Sequence, residues 1–467
     1  MAANTPSAST APAIIDDSLP ARISASCPED VKLILHHAWA HDTSDLKPLL
    51  DAPGKASLED PETGETPLHA AIRACGPADP SPDADNTAAD EAKDTLQELF
   101  LAGAIWNDVD RNNETPGCVA DRLGHPSLYR ACVEAGVRAE LLFGLLDEYE
   151  ELSSGSVEDM EIVEEEEDGD EAPELVDANG HDVAADEEVK KTEEPEAKPD
   201  VNSEAYLASD LTYDDVKLVD DEGNGVMMAW ETSIMRRSVD VLLRASASEP
   251  ALAEGKRVLN VGFGMGIIDG MFAATKPARH HIIEAHPAVL AHIDNGGTNF
   301  GAAWEASGPE DGAFKVHRGR WQDIVPQLLE AGETYDAIYF DTFGEDYAQL
   351  KMFFTEYIPG LMEQEGRFGF FNGLGADRKI CYDVYTQVVE MHATDAGLDL
   401  EWEVIDVDLK GLEEAGKGEW EGVRRRYWTL DIPAPVMHIH GLDACGDVSH
   451  VLCGFLRTRK GQFSSSS

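Results

Sequence analysis

A glycine-rich turn follows a short apolar segment and is the first feature of the sequence that could do chemistry. Residues 257–261, Arg-Val-Leu-Asn-Val, predict a strand, and Gly262, Gly264 and Gly266 come directly after it. Because glycine lacks a Cβ, such a turn adopts left-handed conformations and lets a ligand approach the backbone closely. The first N–H groups of the helix that follows are free to bind that ligand. The pattern indicates a site for a nucleotide-like cofactor.

A carboxylate at the end of the next predicted strand supports that site. Glu284 closes residues 280–284, 18 positions after Gly266. In open α/β sheets an acid at this place accepts hydrogen bonds from ribose hydroxyls. Nicotinamide dinucleotides and S-adenosylmethionine both carry such a ribose, but the GxGxG spacing differs from the GxGxxG of dinucleotide sites. S-adenosylmethionine is therefore the predicted cofactor, and a nicotinamide-dependent oxidoreductase is a remote alternative.

Further polar and aromatic residues stand where the same site would need them. Trp321 and Gln322 follow the third predicted strand, beside the expected adenine. Asp341 ends the fourth strand, at the carboxyl edge where open sheets bind ligands. Glu231 stands upstream in the segment Met-Ala-Trp-Glu-Thr-Ser. Purely structural roles are the alternatives for two of these residues: core packing for Trp321 and helix capping for Glu231.

Strand and helix patterns alternate through the carboxyl-terminal half. Such alternation favours a parallel sheet with right-handed crossovers. Two last strands with only a loop between them favour an antiparallel hairpin at one edge. This is the seven-stranded, Rossmann-like α/β layout of class I methyltransferases. Predicted strands lie at 257–261, 280–284, 314–317, 336–340, 366–371, 401–407 and 426–432, and predicted helices at 267–274, 289–295, 321–330, 347–361 and 379–394.

The amino-terminal part predicts an all-α domain of repeats. Residues 66–71, Thr-Pro-Leu-His-Ala-Ala, resemble the ankyrin signature TPLHxA, and Thr115-Pro116 repeats its start. Residues 46–52 and 96–104 predict second helices of neighbouring units, and residues 76–92 predict an inserted surface loop. The pattern indicates two or three degenerate ankyrin-like units, with an unrelated helical bundle as the alternative. Ankyrin arrays bind proteins, so catalysis is expected elsewhere in the chain.

Negative charge dominates the chain. The formal charge is −55 over 467 residues, and residues 147–200 hold 24 acids against 3 lysines. That acidic stretch cannot bury enough apolar surface to offset its ordering entropy, which predicts a disordered linker. The charge repels phosphate backbones and anionic lipid, so neither nucleic acid nor a membrane is an expected partner. It would attract a basic protein, although solubility alone explains it equally well.

Cysteine spacing and the apolar profile restrict the compartment. The seven cysteines are irregularly spaced and form no CxxC pair, so neither a disulfide framework nor a metal site is predicted. Residues 1–20 lack the basic and apolar regions of a secretory signal. No apolar run is long enough for a transmembrane helix. We expect a cytoplasmic location, with the nucleus as a second candidate compartment.

These features divide the chain into five predicted segments. They are a flexible start (1–27), ankyrin-like repeats (28–146), an acidic disordered linker (147–202), a methyltransferase domain (203–460) and a flexible tail (461–467).

The motifs of the carboxyl-terminal half together resemble the guanidinoacetate N-methyltransferase family. The resemblance covers roughly residues 203–435 and rests on segments 227–235, 261–265, 282–284, 321–323 and 339–342. Ankyrin-like units joined to such a domain are similar to the fungal arginine N5-methyltransferases, also called type IV. The resemblance implies methylation of a guanidinium group from S-adenosylmethionine. On a protein acceptor it implies transfer to the internal δ nitrogen (N5) of arginine.

The resemblance also implies roles for particular residues. Glu231 and Asp341 would be the catalytic pair that holds the guanidinium. The residues that would bind S-adenosylmethionine are Tyr213, Met227, Met235, Phe263, Gly264, Met265, Gly266, Ile267, Ile268, Glu284, Ala285, His286, Trp321, Gln322 and Asp341.

A pair of carboxylates suits the chemistry of a guanidinium. An arginine side chain is protonated at neutral pH, and its nitrogens carry no free lone pair. One carboxylate can bind the fork in bidentate fashion, and a second can take the proton of the reacting nitrogen.

Some segments depart from the small-molecule enzymes of that family. They are the loop 342–346, residues 372–375 and residues 424–428. All lie where the main chain of an acceptor would enter, so they favour a larger acceptor, and the family suggests a large-subunit ribosomal protein. The alternatives are a small-molecule guanidino methyltransferase and a non-catalytic ankyrin scaffold that senses the cofactor.

Overall fold

The protein has a helical amino-terminal part and an α/β carboxyl-terminal part. A computed structural model describes residues 15–79, 87–154, 203–214, 216–246, 249–371, 373–376, 378–407, 420, 423 and 449–458. Within these ranges no helix is both long and apolar enough to cross a lipid bilayer.

Short capped helices build the amino-terminal part. Thr66 Oγ1 accepts a hydrogen bond from His69 N at 3.4 Å, and Thr115 Oγ1 accepts one from Cys118 N at 3.2 Å. A proline follows each threonine at the first helical position, where no N–H is needed. His69 Nε2 bonds the carbonyl of Glu114 at 2.9 Å and so ties one helix pair to the next. The helices are α1 (Leu19–Arg22), α2 (Glu29–Trp39), α3 (Thr43–Leu46), α4 (Pro67–Arg73), α5 (Thr87–Leu101), α6 (Pro116–Arg122) and α7 (Pro126–Ser154).

Three boundaries in this part differ from the prediction. Residues 46–52 form no α-helix: α3 ends at Leu46 and a 3-10 turn, Lys47–Leu49, follows, because Pro48 has no N–H to continue the α-helical pattern. The insertion predicted at 76–92 is shorter, since α5 begins at Thr87. Helix α7 continues to Ser154, past the linker start predicted at residue 147, and residues 155–202 lie outside the described ranges.

Residues 15–27 are folded, although the sequence predicts a flexible start at 1–27. Arg22 is buried, and its Nε donates to Glu65 Oε2 at 2.9 Å while its Nη2 donates to Asp110 Oδ2. Arg73 donates to the same two carboxylates. The prediction fails here because these partners are 43 and 88 residues from Arg22 and leave no local pattern. Residues 1–14 lie outside the described ranges.

Small sheets and helices lead into the α/β part. Strand β3 is followed at once by a 3-10 turn, Ala229–Glu231, which places Glu231 beside the end of that strand. The elements are α8 (Ser203–Ala208), β1 (Leu211–Tyr213), β2 (Lys217–Asp220), β3 (Gly225–Met228), α9 (Thr232–Leu242), β4 (Arg244–Ser246) and β5 (Glu249–Leu252), with β1–β2–β3 and β4–β5 paired antiparallel.

A seven-stranded sheet organises this part. Its order is β11-β12-β10-β9-β6-β7-β8, parallel except for β12, which runs antiparallel to both β10 and β11. The strands are β6 (Arg257–Val261), β7 (Arg279–Glu284), β8 (Phe314–Arg318), β9 (Tyr335–Phe340), β10 (Met362–Phe371), β11 (Leu398–Val407) and β12 (Ser449–Thr458). The helices are α10 (Ile267–Ala274), α11 (Pro287–Asp294), α12 (Ala302–Glu305), α13 (Trp321–Glu330), α14 (Tyr347–Met352), α15 (Ile358–Leu361) and α16 (Lys379–Asp395). A π-helical turn, Phe353–Tyr357, joins α14 to α15.

The parallel strands follow the prediction, and the closing antiparallel strand is formed by residues that the sequence did not select. Strand β6 and helices α10 and α13 occupy the predicted residues, because central parallel strands are continuous apolar runs between amphipathic helices. The antiparallel partner of β11 is β12, whereas the predicted strand 426–432 lies outside the described ranges. Gly454 interrupts the apolar run of β12, which weakens a strand pattern.

The topology sets the position of the site. Strands β7, β6 and β9 are adjacent and parallel, so their carboxyl ends meet at one edge. Glu284, Gly262 and Asp341 stand at or directly after these ends. The sheet therefore gathers the groups that the sequence predicts for the cofactor and the acceptor.

The buried ion network predicts that Arg22 stabilises the fold. Replacing Arg22 by Met keeps much of the apolar stem but removes the hydrogen bonds to Glu65 and Asp110, so urea unfolding should show a loss of about 2 kcal/mol. The matched control is Lys32→Met, whose ion pair with Glu29 is solvent-exposed and should contribute under about 1 kcal/mol. Equal losses in both variants would contradict a structural role for residues 15–27.

Candidate active site

The turn after β6 adopts backbone conformations that favour glycine. Gly262, Gly264 and Gly266 have φ values of 93°, 54° and 71°. A Cβ on Gly262 would lie 2.0 Å from the carbonyl oxygen of Asp341, and a Cβ on Gly264 would lie 2.6 Å from Met227 Cε. The Asp341 backbone cannot move aside for a side chain at Gly262, and a side chain at either position would also be held in a left-handed conformation. The turn therefore packs closely between the end of β9 and the end of β3.

A buried polar network holds the turn from beneath. Asn260 Nδ2 donates to the carbonyl of Gly262 at 2.8 Å and to Asp269 Oδ2 at 2.7 Å. His280 Nε2 bonds the other oxygen of Asp269 at 2.9 Å. Burial raises the pKa of Asp269, while the bonds from His280 and Asn260 act against that rise. Sequence reasoning did not select these residues, although an Asn inside an apolar strand is a visible signal.

Glu284 is bound to the turn through backbone N–H groups. Its Oε2 accepts from Phe263 N at 3.0 Å and Gly264 N at 3.4 Å, and its Oε1 accepts from His286 N at 2.6 Å. Burial raises the pKa of Glu284, and these hydrogen bonds oppose the rise. A further backbone hydrogen bond from Ala285 acts in the same direction, so Glu284 holds the glycine turn and the start of α11 together.

Met227 and Tyr213 border the turn on the side of the small three-stranded sheet. Met265 N donates to Met227 Sδ at 3.2 Å. The ring of Tyr213 stacks on His292 at 4.2 Å, and its hydroxyl is buried with no hydrogen-bond partner among the described residues. Burial raises the pKa of Tyr213, and the charge of Glu284 raises it further. This hydroxyl is a polar group available to a ligand near Glu284.

Glu231 is buried in the turn after β3. Its Oε1 accepts a hydrogen bond from Met228 N at 2.9 Å, so the capping interpretation of this acid is correct for one oxygen. The neighbouring Trp230 packs against Trp420, with ring centroids 6.2 Å apart. Met227 lies four residues before Glu231 and contacts Gly264, so the segment that carries Glu231 packs against the glycine turn.

Asp341 carries an unsatisfied oxygen at the end of β9. Its N donates to the carbonyl of Val261 at 2.9 Å, which fixes the residue beside the glycine turn. Its Oδ2 is buried and has no hydrogen-bond donor among the described residues. Burial raises the pKa of Asp341 to about 7. A buried carboxylate oxygen without a donor is costly, which makes it a candidate contact for a cationic ligand.

Trp321 packs in the core, and a carboxylate that sequence reasoning missed holds its N–H. The indole is 3 % exposed and contacts Phe353 at a centroid distance of 5.2 Å. Glu345 accepts from Trp321 Nε1 at 2.9 Å, from Gln322 Nε2 at 3.1 Å and from Thr342 Oγ1 at 2.7 Å. Glu345 thus ties the loop after Asp341 to the start of α13. The buried Oε1 of Gln322 has no partner among the described residues and is free to accept from a ligand.

Other predicted cofactor residues serve the fold around the turn. His286 Nδ1 caps α11 by accepting from Ala288 N at 3.1 Å, and its Nε2 bonds the carbonyl of Tyr206 at 2.9 Å. Met235 and Ile268 are buried in the apolar cluster behind the turn. The remaining predicted residues of this region are Ala285 and Ile267, which are partly exposed, Gly266, which precedes α10, and Phe263, whose ring is fully buried.

Comparison with known proteins identifies the family. A family model described as guanidinoacetate N-methyltransferase matches residues 198–394. Protein arginine N-methyltransferase 2 of Gibberella zeae is 65 % identical over 421 residues, covering 89 % of this chain and 94 % of that protein. The protein of the same name from Yarrowia lipolytica is 36 % identical over 412 residues, covering 79 % and 82 %. This chain belongs to the protein arginine N-methyltransferase 2 family.

Among solved structures, the fold is similar to an O-methyltransferase, TomG from Streptomyces achromogenes, solved with S-adenosylmethionine. The identity is 14 % and the TM-score 0.30, over 50 % of this chain and 82 % of that one. The strand order and the family membership, rather than this neighbour, identify the chain as a methyltransferase with a Rossmann-like fold.

The site fits S-adenosylmethionine, the cofactor of the family. The left-handed glycines of the turn would form a backbone cradle for the ligand at the carboxyl edge of the sheet, beside Glu284 and the unpartnered hydroxyl of Tyr213. The unsatisfied Oδ2 of Asp341 suits a neighbouring cation. Met227, Met265 and Tyr213 would enclose the ligand from the side of β3 and β1.

The cradle predicts that a side chain at Gly264 abolishes cofactor binding. In Gly264→Val the new Cβ would overlap Met227 and force a left-handed valine, so calorimetry should detect no S-adenosylmethionine binding. The matched control is Gly296→Val, which also has a positive φ (77°) but meets nothing within 4 Å and should keep its affinity. Unchanged binding in Gly264→Val would remove the turn from the site.

Proposed function

We propose that this chain transfers a methyl group from S-adenosylmethionine to the internal δ nitrogen (N5) of an arginine in a basic protein. The observation that carries the proposal is the buried, donor-free Oδ2 of Asp341 beside the glycine turn. The relatives' name, protein arginine N-methyltransferase 2, and the guanidinoacetate N-methyltransferase model support a guanidinium acceptor.

The two acids have different surroundings, which suit them to different roles in the transfer. Glu231 is anchored through Met228 N, so it suits a fixed contact that orients the guanidinium fork. Asp341 has an unused oxygen and a raised pKa, so it suits the acceptance of a proton from the reacting nitrogen. S-adenosylmethionine supplies the methyl group when it is bound.

The choice of nitrogen follows from how the fork is held. In guanidinoacetate the nitrogen that is methylated bears the carbon chain, and in peptidyl arginine the equivalent atom is the δ nitrogen. If Glu231 and Asp341 hold the fork in the same orientation, the product is N5-monomethylarginine. Fixing this geometry is a large part of the rate in such a transfer.

The helical part is the proposed docking unit for the protein acceptor. Two features support an ankyrin-like array: the capped Thr66-Pro67 start and the bond from His69 to the next unit at Glu114. Such arrays present surfaces for protein binding and contribute no chemistry. The chain's negative charge suits a basic acceptor, for which a large-subunit ribosomal protein is the first candidate.

The position of the methyl group tests the proposal. Purified protein with labelled S-adenosylmethionine should methylate an arginine-containing basic protein, and fragmentation mass spectrometry should place the label on the δ nitrogen. Guanidinoacetate serves as the comparison acceptor and should react poorly. Label on a terminal nitrogen, or preferred methylation of guanidinoacetate, would contradict N5 transfer to protein. Cofactor binding without transfer to any acceptor would indicate a scaffold.

The assignment of Asp341 as proton acceptor predicts a specific mutant and pH profile. Asp341→Asn should bind the cofactor but lose at least about 100-fold in turnover. Because the ionised form accepts the proton, wild-type kcat/KM should fall about tenfold per pH unit below pH 7. Any residual activity of the variant should lack that limb.

The control for this variant is an acid away from the site. Asp311→Asn removes an exposed carboxylate in the turn before β8. It should retain both the turnover and the pH profile of the wild type. Near-normal turnover in Asp341→Asn would show that another group takes the proton.

A further inference from the structure

One helix is shared by the apolar cores of both parts of the protein. On α16, Ile380, Val384 and Val388 are spaced four residues apart, are fully buried, and complete the core of the helical part. Val389 and Ala393 on the same helix are buried in the core beneath the main sheet. The helical part is thus packed onto the catalytic domain through a common element.

Glycines in the helical part allow this packing to be close. A Cβ on Gly117 of α6 would lie 2.0 Å from Ile380 Cδ1, and a Cβ on Gly136 of α7 would lie 2.6 Å from Val384 Cγ2. Glycine inside a helix is less stable than alanine, so helix packing is the physical reason for it at these positions. The two helices therefore fit α16 as a matched surface.

Polar contacts fix the register of that surface. Tyr129 OH donates to Asp383 Oδ2 at 2.6 Å, and Lys379 Nζ donates to Asp121 Oδ1 at 2.8 Å. Lys379 also lies over the ring of Tyr129, 4.7 Å from its centroid. These contacts lie on the face of α16 that packs against the helical part, so the helix cannot slide or rotate without breaking them.

The loop after β10 is attached to this interface. Strand β10 lies beside β9, with Phe370 opposite Phe340, so residues 373–376 leave the sheet next to Asp341. A Cβ on Gly375 would lie 2.8 Å from Cys381 Cβ on α16, and Arg378 donates to Asn113 of the helical part at 2.8 Å.

The loop after β9 is attached to the same helix. Tyr347, which begins α14 directly after residues 342–346, bonds His392 Nδ1 of α16 through its hydroxyl at 2.6 Å. Its ring lies 5.8 Å from that of Tyr385, whose hydroxyl donates to Glu140 Oε2 of α7 at 3.2 Å. Two of the three segments that depart from the small-molecule enzymes, 342–346 and the loop after β10, are therefore followed by residues that contact or begin α16.

The glycine-turn side of the cofactor site is built differently. Met227, Phe263 and Ile268 belong to two apolar clusters that include no residue of the helical part or of α16 among the described ranges. Trp321, by contrast, shares a cluster with buried residues of α16. A disturbance at α16 can thus reach the loops beside Asp341 while leaving the glycine turn in place.

We propose that the helical part, acting through α16, holds the loops 342–346 and 373–376 as the acceptor side of the active site. Acceptor recognition then depends on the interface between the two parts, and the position of the glycine turn does not. This rests on the proposed function, because the acceptor is taken to be an arginine in a protein. Ile380, Val384 and Tyr129 are positioning residues in this arrangement and touch no reacting atom.

Hydrogen exchange on the full chain tests the loop restraint independently of catalysis. In Ile380→Ala the amides of residues 342–346 and 373–376 should exchange about tenfold faster, while those of residues 262–268 keep their wild-type rates. The matched control is Leu35→Ala, a fully buried residue of α2 in the same apolar cluster but away from α16. Wild-type loop exchange in Ile380→Ala, or equal acceleration in Leu35→Ala, would overturn the proposal.

Kinetics then test the consequence for the acceptor. With a synthetic arginine-rich peptide, kcat/KM should fall about tenfold in Ile380→Ala and stay near wild type in Leu35→Ala. The Kd for S-adenosylmethionine should change much less than kcat/KM in Ile380→Ala and stay at its wild-type value in Leu35→Ala. Tyr129→Phe, which removes only the bond to Asp383, is the milder variant should Ile380→Ala fail to fold. Faster loop exchange without any change in peptide kinetics would show that these loops do not determine acceptor recognition. An inactive wild type would instead overturn the proposed function and leave the exchange result standing.

Discussion

The contact between the glycine turn and the end of β9 is the constraint on which the site depends. At Gly262 the backbone passes so close to Asp341 that a single Cβ would lie 2.0 Å from its carbonyl oxygen. The hydrogen bond from Asp341 N to Val261 O closes the same contact from the other side. As a result, the cofactor cradle and the acid proposed to act on the acceptor form one rigid unit at the carboxyl edge of the sheet.

Satisfaction of hydrogen bonds distinguishes the carboxylates of the site. Glu284 receives backbone N–H groups, and Glu345 receives bonds from the side chains of Trp321, Gln322 and Thr342. Asp341 Oδ2 is buried without a donor among the described residues. Satisfied carboxylates hold loops in place, whereas an unsatisfied one is stabilised only when a cation or a proton arrives. This difference supports the chemical role proposed for Asp341, whereas Glu284 and Glu345 hold loops in place.

Local patterns in the sequence predict the sheet and the glycine turn, because β6 and β9 are mostly apolar segments followed directly by Gly262 and Asp341, and β7 ends in Glu284. Contacts between distant residues escape such patterns. Glu345 acquires its role from Trp321, 24 residues away, and Arg22 acquires its role from Asp110, 88 residues away. The amphipathic pattern of residues 379–394 predicts a helix, but it does not reveal that both faces of α16 are buried in different cores. For Trp321 the residue type does not decide between core packing and ligand contact, because a large aromatic side chain suits both.

The most direct test of the two-acid account is a crystal structure of the protein with S-adenosylhomocysteine and an arginine-containing peptide. If both acids hold the acceptor, the guanidinium will lie within hydrogen-bond distance of both Glu231 and Asp341. Its δ nitrogen should point towards the sulfur, and Asp341 Oδ2 should be the newly satisfied atom. A guanidinium that contacts neither acid, or a δ nitrogen that faces away from the sulfur, would contradict the account.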